Sequence, residues 1–77
     1  MSKFIWAHKD DDIRLLNSDV IKEIYLRQIK KGSLKGCWQV IIEMKDGTEY
    51  MRSEKGSGYT DRTTAEGDLD ILHNLLE

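Results

Sequence analysis

The chain has 77 residues, 34% of them charged and 39% hydrophobic, and a net charge of −2. That length holds one domain, the apolar fraction is too high for a disordered chain, and no apolar run approaches the roughly 20 residues that cross a bilayer. The run Phe4–Ala7 breaks off at His8, Lys9 and three aspartates, unlike a signal peptide, and the lone Cys37 forms neither an internal disulfide nor a zinc site by itself, so the expected compartment is a reducing cytoplasm.

Residues 3–7, Lys-Phe-Ile-Trp-Ala, read as a first strand because aromatic and branched side chains suit a pleated, half-buried surface. Lys9-Asp10-Asp11-Asp12 reads as a turn, followed by a short strand at 13–16. Asn17-Ser18-Asp19 is a second turn signal and equally an N-cap for a helical turn at 19–22. Residues 20–29 fit neither period cleanly. Their isoleucine, valine and tyrosine favour a strand kinked near Lys22, with a helix as the open alternative.

A glycine-bearing loop, Lys30–Gly36, leads to the clearest strand, at 37–45. There Trp38, Val40, Ile42 and Met44 alternate with Gln39, Ile41, Glu43 and Lys45. Asp46-Gly47 predicts a hairpin with a type I′ turn into a strand at 48–53. After a loop at 54–62, Thr63 and Glu66 match a capping box. Ala65, Leu69, Leu72 and Leu76, with Leu75 beside them, mark an amphipathic helix at about 64–76. Glu66, Asp68 and Asp70 then lie near its positive end. The expected fold is α+β: an antiparallel β-meander of four to five strands packed against one C-terminal α-helix, within a single domain spanning 1–77.

The spacing of Phe4-Ile5-Trp6, of Leu16-Asn17-Ser18-Asp19-Val20-Ile21-Lys22-Glu23-Ile24, and of Val40 to Tyr50 through Asp46-Gly47 resembles the small flagellar-operon FlbD family and its uncharacterised bacterial relatives. The likeness covers about half the chain and rests on hydrophobic spacing. The chain differs in its longer basic segment at 27–37 and in Gly-Ser-Gly-Tyr at 56–59. The resemblance implies a small bacterial protein, with no catalytic residues to carry over.

The small net charge conceals an asymmetry. From Val20 to Lys35 there are five cations against Glu23, a local charge of +4. From Gly56 to Glu77 there are five anions against Arg62, a local charge of −4. The two segments could complement each other within one chain or between two copies.

Several groups carry side chains suited to chemistry. His8 with Asp10, Asp11 and Asp12 offers oxygen ligands for a divalent cation. A calcium loop counted from Asp10 needs glycine and glutamate where Leu15 and Ile21 stand, which favours a plain turn. Lys55-Gly56-Ser57-Gly58 resembles an anion nest but lacks the Walker spacing. Cys37 has no base near it in sequence, His8 and His73 being distant. Glu43 and Glu49 should face each other across the hairpin. Tyr25, Arg27, Lys30, Lys31 and Lys35, with Trp38 alongside, form the candidate contact set for nucleic acid or a partner, since cations neutralise phosphates and aromatic faces stack on bases.

With no metal set, activated nucleophile or phosphate loop in the sequence, the expectation is a non-enzymatic protein–protein interaction module without a cofactor. Its partner would be an unknown protein or a second copy, and not a membrane. The alternative is a weak nucleic-acid-binding protein using residues 25–38.

Overall fold

The alternation of Trp38, Val40, Ile42 and Met44 sets the centre of the fold. In the computed structural model, which describes residues 3–53 and 58–76, these residues lie on β4 (Trp38–Met44). Around it stand β1 (Phe4–Lys9), β2 (Asp12–Asn17), β3 (Ile21–Gln28) and β5 (Glu49–Met51), with α1 (Arg62–Leu76) closing the described chain. The sheet is antiparallel throughout its pairs, so the expected α+β meander with one C-terminal helix is what the chain builds.

The strand order is β2-β1-β5-β4-β3. Sequence neighbours pair within β1/β2, β3/β4 and β4/β5, and the first and last strands meet through His8 and Met51. β2 and β3 therefore lie at opposite edges, although only a 3-10 turn, Ser18–Val20, joins them. So short a link requires a strongly coiled sheet. Hydrogen bonds tie both ends of the turn: the Ser18 N–H donates to the Lys3 carbonyl at 2.8 Å, and the Lys45 N–H to the Val20 carbonyl at 2.9 Å. Asn17 caps the turn by accepting from the Asp19 N–H. The ambiguous 20–29 stretch is a strand, with a bulge between Ile21 and Glu23 at the expected kink.

One face of the sheet is covered by the helix. Ile5, Ala7, Leu16, Ile24, Val40, Ile42 and Met44 form the core with Leu72 of α1, and α1 packs on β3 and β4. Ala65 and Leu72 are fully buried, while Leu69 and Leu76 lean against the core. Leu75 is exposed instead of joining them, because at 3.6 residues per turn it points about 90° away from that stripe.

Local details depart from expectation. Strands begin or end one or two residues from the predicted limits, and β5 is three residues long instead of six. The Asp46-Gly47 hairpin is not type I′. Gly47 has φ of 92°, but among the described non-glycine residues only Asp10 has positive φ. The Gly47 N–H donates to Met44 O at 3.0 Å and the Met44 N–H to Thr48 O at 2.8 Å, the pattern of a type I turn closed by a left-handed glycine. Asp46 holds this form by accepting the Thr48 N–H at 2.9 Å, a bond that also lowers the Asp46 carboxyl pKa. The helix starts at Arg62, so the Thr63–Glu66 capping box is not formed. Asp61 precedes the first turn and accepts from the Thr63 N–H at 3.2 Å, while Glu66 pairs with Arg62 at 2.7 Å. The first turn therefore holds no acidic residue. Most of the Lys55–Gly58 nest lies outside the described residues.

Candidate functional site

The face of β1–β2 turned away from the core carries the most unusual surface of the molecule. Ile5 and Ala7 point into the core, so Phe4, Trp6 and His8 point outward by the two-residue period of a strand. On β2 the same parity turns Ile13 and Leu15 outward, where Leu15 faces Trp6 and Ile13 faces His8. The Ser18-to-Lys3 hydrogen bond fixes the ladder's phase. Pairs 5/16 and 7/14 are the hydrogen-bonded ones, and 6/15 and 8/13 are the close, non-hydrogen-bonded ones. Trp6 and Leu15 thus touch at the shorter separation, which favours cross-strand packing. Among the described residues no layer covers them: Phe4 is 56% exposed, Trp6 57%, Ile13 61% and Leu15 50%. Single exposed apolar residues are ordinary, but a contiguous group of this kind usually marks an interaction site.

A polar cluster anchors the inner end of the patch. Arg52 donates from Nη1 to the Trp6 carbonyl at 2.7 Å, and its own carbonyl lies 3.1 Å from Nδ1 of His8. Arg52 also pairs with Asp68 of the helix at 3.7 Å, and the Tyr59 hydroxyl donates to the same carboxylate at 2.7 Å. Burial, then the Asp68 hydrogen bond, pushes the Tyr59 pKa up to about 12. Strand β1, Arg52 just after β5, and the helix are thereby tied together behind Trp6.

Across the sheet, at the β3 edge, lie the residues predicted from sequence. Glu23, Glu43 and Glu49 occupy facing positions on three adjacent strands, which fulfils the expected Glu43–Glu49 juxtaposition. Such a row of like charges needs cations. Lys22 meets Glu43 at 3.3 Å and Arg27 meets Glu49 at 2.7 Å. Tyr25 donates to Glu49 at 3.0 Å and accepts from Arg27 at 2.8 Å. The Arg27 hydrogen bond, then that of Tyr25, lowers the Glu49 pKa, while the bond to Glu49 raises that of Arg27. Tyr25 and Arg27 are therefore brought together, but around an internal carboxylate.

Arg27, Lys30 and Lys31 line an open concavity of about 530 Å³ with Gln28, Ile29 and Gln39. Lys35 sits apart in the loop, where its N–H donates to the Gly32 carbonyl. Trp38 pairs with Gln28, one residue out of phase with Arg27. It consequently points to the helix side, where the Arg62 guanidinium lies 5.2 Å from its ring centre. The basic middle and acidic tail do not pair as two blocks: Lys22 and Arg27 use strand carboxylates, while Asp68 and Glu66 meet Arg52 and Arg62. Among the described residues no three His, Cys, Asp or Glu side chains converge as metal ligands, and no helix is long and apolar enough to cross a membrane.

The sequence reading did not single out the hairpin patch, although the signal was present. β1 is apolar on both faces, and a sheet with one covering helix leaves one of them bare. No family model matches the chain, and comparisons with curated proteins and with solved structures return no match.

Proposed function

We propose that the chain is a non-enzymatic protein–protein interaction module of the cytoplasm, and that it engages protein through the outer face of β1–β2. The observation that carries this reading is the uncovered set Phe4, Trp6, Ile13 and Leu15 on one hairpin. Two aromatic anchors on a regular strand lose little conformational freedom on binding, and truncation of such anchors commonly costs 2 kcal/mol or more, about 30-fold in affinity. The resemblance to small bacterial proteins, which supplies no catalytic residues, agrees with a non-enzymatic role.

The test is comparative capture from the cell of origin with the chain and with its Trp6→Ser/Leu15→Ser variant. A protein retained in stoichiometric amount by the first and lost from the second is the expected result. Equal retention by both overturns the reading.

The basic concavity favours a second reading, weak binding of nucleic acid through Arg27, Lys30 and Lys31. It is the weaker of the two because Glu49 already neutralises Arg27 and Trp38 faces the other side. A fluorescence titration with oligonucleotides at about 50 mM salt, where phosphate contacts are strongest, decides it; absence of binding removes it.

A further inference from the structure

Among the described residues β2 hydrogen-bonds to β1 on one side and has no strand on the other. Asp12, Ile13, Arg14 and Leu15 are all exposed, so neither a loop nor the helix shields this edge among the described residues. The phase set by the Ser18-to-Lys3 bond turns the N–H and C=O groups of Ile13 and Leu15 away from β1. An edge of this kind is a ready template for another strand.

We infer that the occupant of this edge is a second copy of the chain, paired β2 to β2 in antiparallel fashion about a two-fold axis that passes between the two Ile13 residues. This rests on the reading of the hairpin as an interaction surface and adds a partner at its edge, while the outer face with Trp6 and Leu15 stays uncovered in the pair.

The register follows from symmetry and charge. With the axis normal to the sheet, facing residues must share a face, so the pairing has to centre on a residue and not between two. Centring on Asp12 sets two aspartates against each other, and centring on Arg14 sets two arginines together. Centring on Leu15 places Arg14 against Leu16, which is buried in the core. Centring on Ile13 sets Asp12 of each copy against Arg14 of the other, twice, with Ile13 against Ile13. Within one copy Asp12 and Arg14 already lie 3.5 Å apart, with both side chains more than half exposed, so their exchange between copies breaks no buried pair. Because Ile13 offers its outward N–H and C=O, the central pair is a hydrogen-bonded one. The outward residues of both hairpins then share one face, with the Ile13 pair between the Trp6–Leu15 pairs of the two copies and Asp11 of each copy beside Leu15 of the other. The ladder is short, and the contact lies below the ~800 Å² per partner of standard interfaces, so a reversible dimer is expected.

Sedimentation of charge-reversed variants tests this. The chain should show a dimer fraction that grows with concentration up to about 100 µM or beyond, the regime of a weak interface. Asp12→Arg and Arg14→Asp each place like charges together, and each should weaken self-association at least ~10-fold. An equimolar mixture of the two restores both opposite-charge pairs and should recover the dimer as a heterodimer, as should the double variant D12R/R14D. Circular dichroism of each single variant confirms folding, and recovery on mixing cannot come from misfolded chains. A monomeric wild-type chain, single variants that dimerise as well as the wild type, or a mixture that stays monomeric overturns the pairing. A monomeric chain that still captures a different protein through Trp6 and Leu15 removes this inference and leaves the broader reading intact; absence of both removes both.

Discussion

Tyr59 and Glu49 show how single side chains set the response of this molecule to pH. Burial and the Asp68 hydrogen bond hold the Tyr59 pKa near 12, above the ordinary value of about 10. A pKa raised on folding contributes stability that is complete below pH ~10 and is lost as pH rises through ~12. Urea midpoints measured at about pH 9 and pH 11.5 should therefore fall less in Tyr59→Phe than in the wild type, while near pH 7 the variant loses about 1 kcal/mol with its hydrogen bond. An equal alkaline loss in both proteins would contradict this assignment. Glu49 has the opposite sign. Its pKa is lowered by Arg27 and Tyr25, so its contribution is present above the ordinary carboxylate range and is lost as pH falls through the folded value. Because the group is well exposed, Glu49→Gln should cost less than about 1 kcal/mol near neutral pH and flatten the acid limb of a denaturation profile. The same substitution frees Arg27. If the second functional reading holds, it should strengthen oligonucleotide binding at low salt.

Among the elements, the helix separates residues that look equivalent in sequence. Thr63 and Asp61 both suit a cap, but Asp61 receives the backbone hydrogen bond. Asp61→Ala should cost about 1 kcal/mol and Thr63→Ala less than about 0.5 kcal/mol, as read by urea denaturation. Leu72 and Leu75 diverge more widely. Leu72 is fully buried against the sheet and Leu75 is half exposed, so Leu72→Ala should cost about 2–5 kcal/mol and Leu75→Ala about 0.5 kcal/mol or less. Similar losses in the two would place the helix in a different rotation. The elements were legible where hydrophobic period and turn chemistry agree. The alternation from Trp38 to Met44 marked β4 and its buried face, and the isoleucine-rich 20–29 stretch was a strand kinked where the bulge lies. Legibility failed where two local solutions have similar energy. Asp61 and Thr63 compete for one cap, and Asp46-Gly47 accepts either of two hairpin turns, with the Asp46–Thr48 bond selecting the one formed.

At the scale of the whole molecule, sequence reasoning reached the layers but not their closure. Nothing local in β1 or β5 encodes their pairing through His8 and Met51; it follows from a three-residue link that forces the sheet to coil. That coiling leaves β2 and β3 as the two edges, and it separates surfaces the sequence places side by side. Tyr25 and Arg27 turn outward to Glu49, whereas Trp38 turns inward beneath Arg62. Trp38 is therefore separated by the sheet from Tyr25 and Arg27, while Arg27, Lys30 and Lys31 line one concavity. The charge asymmetry also takes another form in three dimensions, because strand cations meet strand carboxylates before they can meet the helix. Among the described residues the outer face of the β1–β2 hairpin keeps a contiguous apolar set without a covering layer. Capture by the wild-type chain, by Trp6→Ser/Leu15→Ser and by Arg27→Ala/Lys30→Ala/Lys31→Ala, each shown to be folded, sets the two surfaces against each other in one measurement. The bound protein should be lost only with the first variant; loss with the basic-residue variant and retention by the hairpin variant would contradict the assignment of function to this face.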